Sequence, residues 1–390
     1  MILRRATLVG ALFAIFCTSF STSAQASDKP IAPIAQLTPS DGMSGDSFGS
    51  SLALSGNTLV VGSAYAEGAG AAYIFSGSGS SWTQIAKLTP SDVVTGGQFG
   101  YALAISGNTV AVGAPMNSGG AVYVFVKPAT GWQNMTETAK LTYQGDIFGY
   151  CVAFAGNGQF LLVDALFQSA AYVFDKPPTG WVNATAPTTI LVPPSGSSGF
   201  GNSIATSGTT AVIGAPGTNN SSGAAYIFSL TAGVANINAS ATLTASDSGG
   251  ILGNTLAFHG NIVVAGAQNH QNGVGAVYVF VEPATGWADM TQTAELTSGS
   301  SAQTAFGAGL ALSTGAIIVG LPSGRVGTVD EFIQPSTGWA NSATPNFRFQ
   351  SPSRSDSFGG ILAFDGMTLA VGDYLANQNE GAVDIFQPER

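Results

Sequence analysis

Charge is scarce in this chain: 8% of its 390 residues are Asp, Glu, Lys or Arg, against roughly 25% in an average globular protein. What charge there is runs acidic, with 11 Lys and Arg against 21 Asp and Glu. No basic run stands out, which argues against nucleic acid and against anionic membrane surfaces as partners. Cysteine is nearly absent. Cys17 falls in an N-terminal stretch that reads as removable, so the remaining chain keeps Cys151 alone and can close no internal disulfide. Histidine, the commonest acid–base residue, occurs twice, as His259 and His270. G-x-S-x-G, H-E-x-x-H and phosphate-cradling glycine motifs in their proper context are missing as well. The chain offers no catalytic constellation, no metal motif and no cofactor signature.

Glycine is plentiful, with 52 residues, and 45% of the chain is hydrophobic. Low charge with abundant Gly and Ser beside Val, Ile, Phe and Tyr describes many short strands joined by tight turns. Disorder is excluded by the amount of apolar surface available for a core. The first 26 residues differ: MILRR is positive, ATLVGALFAIF is apolar, and Ala24-Gln25-Ala26 is a small-residue cleavage signal. The apolar run is too short to span a bilayer comfortably. Residues 1–26 therefore read as a secretory signal peptide, and 27–390 as one exported domain with no integral membrane segment.

That domain repeats itself. Phe-Gly occurs at 48, 99, 148, 200, 306 and 358, and Leu252-Gly253 fills the wide gap, so an anchor falls every 49 to 54 residues. A second landmark follows each: GAAYIF, GAVYVF, SAAYVF, GAAYIF, GAVYVF, GTVDEF and GAVDIF. Between them, SLALS and TLVVG flank Gly56-Asn57, where glycine at the first central position suits a type II′ hairpin. AAYIF is a third strand and IAKLT a fourth. Four antiparallel strands per repeat of about 50 residues is the sequence form of a β-propeller blade. The chain ends on a third strand, while the front segment IAQLTPSDG copies the fourth-strand segment IAKLTPSDV. The expected fold is all-β: a seven-bladed β-propeller of four-stranded antiparallel blades, its ring closed by an N-terminal strand that completes the last blade.

The pattern FG…VVGAP…GAVYVF, best carried by Val112-Gly113-Ala114-Pro115 and Ile213-Gly214-Ala215-Pro216, resembles the FG-GAP repeat. That repeat builds the propeller at the head of integrin α subunits and of many secreted bacterial proteins. The linkers KPATGWQNMTETAKLT and EPATGWADMTQTAELT are similar to the bacterial branch, and the resemblance covers 34–390. It implies a binding or adhesion module. Integrin-type repeats often hold calcium in a D-x-D-x-D-G loop between the FG and GAP strands. Here that connection is an SGNT-type turn without carboxylates, Asp365 excepted, so the calcium loops are expected to be absent. Asp41, Asp46, Asp373 and Glu380 lack alternate ligand spacing and read as turn and capping residues.

Individual residues admit plain readings beside sharper ones. Cys151 reads as a buried, inert thiol, and His259 as exposed at a hairpin turn. Trp132, Trp181, Trp287 and Trp339 share a T-G-W linker, which favours a structural slot over sugar stacking. The third-strand Tyr becomes Asp330 in unit six and Asp384 in unit seven; a carboxylate pair for glycoside hydrolysis is one reading, polar replacement on a solvated face the ordinary one. The repeats diverge most in the loops after VVG, so candidate ligand contacts are Asn117, Asn219, Asn220, Asn269, His270, Arg325, Asn377 and Asn379. The expected function is a secreted, monomeric, metal-independent, non-enzymatic module for an extracellular protein or glycan. A structural surface-layer component and a carbohydrate-active enzyme are the alternatives.

Overall fold

The computed structural model of the chain describes residues 30–143, 147–165, 169–322, 326–351 and 355–388. Its strands form seven sheets, each with a four-stranded antiparallel core. Blade 1 consists of Phe48–Ser55, Thr58–Ser63, Ala71–Ser78 and Ser81–Leu88. Blades 2 to 6 repeat it within 102–141, 148–192, 204–244, 255–296 and 309–350. Blade 7 holds Ile361–Phe364, Leu369–Asp373 and Ala382–Phe386, and its fourth strand is Ala35–Leu37, with Gln36 opposite Asp384. First strands of neighbouring blades pack side by side all the way round the ring.

The sequence landmarks have separate mechanical roles. Each FG phenylalanine, or Leu252, sits in the apolar core between two blades: Phe99 packs among Ile74 and Leu88 of blade 1 and Val112 and Phe125 of blade 2, and Leu252 among residues of blades 4 and 5. Burying both faces of every sheet this way is what makes single blades unstable alone and the ring stable. The VVG glycine allows close approach. A Cβ on Gly62 would lie 2.1 Å from the Gly100 carbonyl oxygen of the next blade. The hairpin glycines Gly56 and Gly107 have φ of +55° while the following Asn does not, as a type II′ turn requires.

The linkers between third and fourth strands, most of them with T-G-W, reach backward. The linker of blade 2 pairs Met135 with Leu88 of blade 1, that of blade 3 pairs Ala184 with Leu141, and those of blades 4 and 5 add short parallel strands to the preceding sheet. Side chains reinforce the step: Asn134, Asn183, Asp289 and Asn341 each accept the backbone N–H of the preceding blade's fourth strand at 2.8 Å, from Lys87, Lys140, Thr242 and Glu295. Trp132, Trp181 and Trp339 are buried in the junctions there, and Trp287, partly buried, packs on the equivalent core between blades 4 and 5. Ile31 completes the pattern by pairing with Phe349 of blade 6 just before Ala35–Leu37 enters blade 7.

Candidate functional site

The ring has two unlike rims. One carries the hairpin turns and the T-G-W linkers. The other carries the loops after the second strands together with the blade-to-blade connections, which bind each other: Ser63 Oγ donates to the Asp46 carbonyl at 2.9 Å. On this second rim, around the axis, lies a cavity of about 720 Å³. Four tyrosines line it. Tyr65 and Tyr374 come from the loops of blades 1 and 7, and Tyr101 and Tyr150 from the starts of the first strands of blades 2 and 3; Leu375 and Asn379 are at its edge.

Tyr101 and Tyr150 stand two residues after their FG phenylalanines, at the position that faces the axis. Their rings meet at 4.9 Å between centroids, tilted by 41°. Across the ring the same position holds Asn202 and Asn254, where Asn202 Nδ2 donates to Asn254 Oδ1 at 3.2 Å. Burial, then the bond to Tyr150, raises the Tyr101 phenol above its ordinary range, so it stays a neutral hydroxyl. Tyr65 is 51% exposed and its hydroxyl accepts from Gln98 Nε2 at 3.1 Å. The mouth thus offers aromatic faces and uncharged hydroxyls. Sequence reasoning did not single out these tyrosines; comparing the seven residues that follow FG (Ser50, Tyr101, Tyr150, Asn202, Asn254, Ala308 and Gly360) would have exposed the pair.

The loop candidates divide. Asn379 edges the mouth; Asn219, Asn220, Asn269 and Asn377 are exposed on their loops, and Arg325 lies outside the described residues, as do residues 1–26. Asn219, Asn220, Asn377 and Asn379 all have positive φ, from 52° to 67°, a conformation that asparagine tolerates better than most residues. Asn117 and His270 point inward at one equivalent loop position and are buried. Asn117 Nδ2 donates to the Tyr123 hydroxyl, and His270 Nδ1 lies 3.2 Å from that of Tyr278. Sequence reading found no carboxylate partner for His270. Folding supplies two, Asp247 and Glu295, with one donor atom per residue all within 4.8 Å of one another.

The third-strand position is a second correction. Asp330 and Asp384 were expected on a solvated face, yet both are 0% exposed, because that strand has a neighbouring strand on either side and a blade against each face. Arg348, opposite Asp330, donates to both its oxygens at 2.6 and 2.8 Å. Gln36 donates to Asp384 Oδ1 at 2.9 Å, and burial pushes that carboxyl up to about 6. Each is thus engaged within its own blade.

Other residues behave as structure. Asp46 Oδ2 accepts the Met43 N–H at 2.9 Å, a turn cap. His259 is exposed and reaches Thr314 of the next blade at 3.1 Å. Cys151 takes the register position of Ser51 and Ala102, and burial pushes its thiol up to about 12. Beside it, Asp164 replaces the VVG glycine; its Oδ1 accepts the Cys151 N–H at 2.6 Å, and burial holds its carboxyl well above the usual range.

Among the described residues, no helix is long and apolar enough to cross a membrane. The FG-GAP repeat family matches at residues 33–75, 82–125 and 190–228, in units one, two and four. No curated protein matches the chain.

Proposed function

The chain carries FG-GAP repeats on a closed seven-bladed propeller, and from that premise we propose a non-enzymatic binding module that works outside the cell and takes its ligand at the tyrosine-lined axial mouth. The N-terminal stretch that reads as a signal peptide supports export. The observation that carries the proposal is the cavity of about 720 Å³ with Tyr65, Tyr101, Tyr150 and Tyr374 on its wall. A pocket of that size with aromatic walls and a few hydroxyls suits a glycan or an extended peptide, since rings stack on apolar faces while hydroxyls fix orientation. The mouth presents neutral groups, so recognition there needs no metal.

The test is retention of the purified protein on glycan arrays and cell-envelope extracts, with and without EDTA, with product release followed in parallel. Saturable, EDTA-insensitive retention that falls several-fold, up to about tenfold, in each of Tyr101→Ala and Tyr150→Ala is expected, since a specific aromatic contact is worth about 0.5–1.5 kcal/mol. Retention unchanged in both variants sinks the axial mouth as the site. Release of cleaved sugar makes the protein an enzyme instead.

A further inference from the structure

The tyrosine of the third strand is the centre of a recurring polar cluster, and blade 5 builds that cluster with one sign reversed. In blade 1, Tyr73 faces Lys87 across the strands, and Lys87 Nζ bridges Asp41 at 2.6 Å and Glu67 at 2.9 Å. In blade 2, Tyr123 faces Lys140; the Tyr123 hydroxyl donates to Asp92 at 2.6 Å, and Lys140 pairs with the same carboxylate. Each time, an aspartate from the preceding connection and a tyrosine of the blade surround one ammonium.

Blade 5 keeps the aspartate and the tyrosine: the Tyr278 hydroxyl donates to Asp247 Oδ1 at 2.7 Å. The residue opposite Tyr278, however, is Glu295, and the loop position that is Ala66 in blade 1 and Asn117 in blade 2 is His270. Having given its proton to Asp247, the Tyr278 oxygen accepts from His270 Nδ1–H. The network therefore places a proton on Nδ1, while Nε2 carries either a lone pair or a second N–H. That nitrogen is buried, in a residue 5% exposed, and has no hydrogen-bond partner. It points between two carboxylates, 3.8 Å from Asp247 Oδ2 and 3.7 Å from Glu295 Oε1. Two carboxylates converging on that nitrogen, 40% and 23% exposed, repel each other unless a positive charge joins them, either a bound cation or a proton on the ring itself.

We propose that Asp247, His270 and Glu295 bind one divalent transition-metal ion of the zinc type, in the place where blades 1 and 2 keep a lysine ammonium. One nitrogen and two oxygens from three protein residues suit zinc, with a fourth position left to water. The imidazole disfavours magnesium and calcium, which prefer all-oxygen sets. A tetrahedral ion with bonds of about 2.0–2.1 Å separates its ligands by about 3.3 Å, within reach of small rotamer changes from the distances here. The Nδ1–Tyr278 bond is the outer contact that orients a metal-bound imidazole. Three segments distant in sequence, from the blade 4–5 connection, the second loop and the fourth strand of blade 5, would be clamped together. The site is separate from the axial mouth.

The experiment strips the protein with chelator, titrates it calorimetrically with zinc, calcium and magnesium at pH 7.5, and follows Tm. Expected is saturable binding of one zinc per chain with a rise in Tm. His270→Ala and Glu295→Lys should each weaken it by on the order of 100-fold or more. Glu295→Lys supplies the sister blades' own cation, so without metal its Tm should equal or exceed that of the stripped wild type; this keeps loss of binding distinct from loss of fold. No saturable zinc binding, zinc binding indifferent to either substitution, or preference for calcium or magnesium overturns the proposal.

Discussion

In blade 2 the third strand turns Tyr123 toward Lys140 on the fourth; in blade 6 the same register pairs Asp330 with Arg348. Both positions lie between sheets, and both side chains are fully buried. Tyr123 brings a bulky, neutral group whose hydroxyl reaches Asp92, so the lysine that closes the cluster is paired near solvent with side-chain exposures of 28% and 43%. Asp330 brings a full charge into the interior, and the arginine opposite must answer it with two hydrogen bonds. Blade 7 places Asp384 at this position with only the neutral Gln36 opposite. These three blades settle one buried position differently because the residue across the ladder matches it to different degrees.

The largest effect that would test this difference is in blade 6. Arg348→Ala should destabilise the protein by about 2–3 kcal/mol in urea unfolding, because it leaves the 0% exposed Asp330 unpaired, although Arg348 itself is 40% exposed and partly screened. Adding Asp330→Asn should recover most of that. A loss near zero would mean that the two ion pairs are equivalent.

Blade 7 comes next, and there the expected sign is a gain. Burial, then repulsion from Asp373, raises the Asp384 carboxyl to about 6, against the bond from Gln36. The folded chain thus holds this proton more tightly than the unfolded chain, whose carboxyl titrates near 3.8. This group's contribution is complete below about pH 4 and is lost as pH rises through about 6. Asp384→Asn should therefore stabilise at pH 7.5 by up to about 2–3 kcal/mol, a two-unit shift at 1.36 kcal/mol each, and by only about 0.5 kcal/mol at pH 4. Unfolding curves that run parallel between those pH values would contradict it.

The smallest effect belongs to blade 2. Lys140→Ala removes a solvent-screened pair and should cost at most about 1 kcal/mol, less in high salt. A loss matching that of Arg348→Ala would erase the contrast.

Much of this architecture was legible because it is local and periodic. Phe-Gly, the glycine turn and the third-strand apolar run recur in register, and each records a short-range constraint: a junction filler, a positive φ, a strand with both faces covered. The copy of IAKLT at the front foretold that Ala35–Leu37 would complete blade 7. The same periodicity misled at Asp330 and Asp384, where tyrosine's half-polar character suggested solvent although the strand is enclosed. Nothing local to Asn134 and Asn183 marks their role of holding the preceding blade, which only the fold shows. Sequence also pointed to the loops after VVG as the place of divergence, but it could not tell that Asn117 and His270 turn inward while Tyr65, Tyr374 and Asn379 border the mouth.

What the sequence determined by itself, then, is the blade, the count of seven and the closure of the ring, since hairpin turns, alternation and repeat spacing act between residues close along the chain. Tertiary structure alone decided which polar residues meet. Tyr101 touches Tyr150, and Asp247, His270 and Glu295 converge, because closing a ring brings together segments about 25 to 50 residues apart at blade junctions. The distances that turn such residues into a site are fixed by packing of sheet against sheet, to which no single stretch of sequence is local.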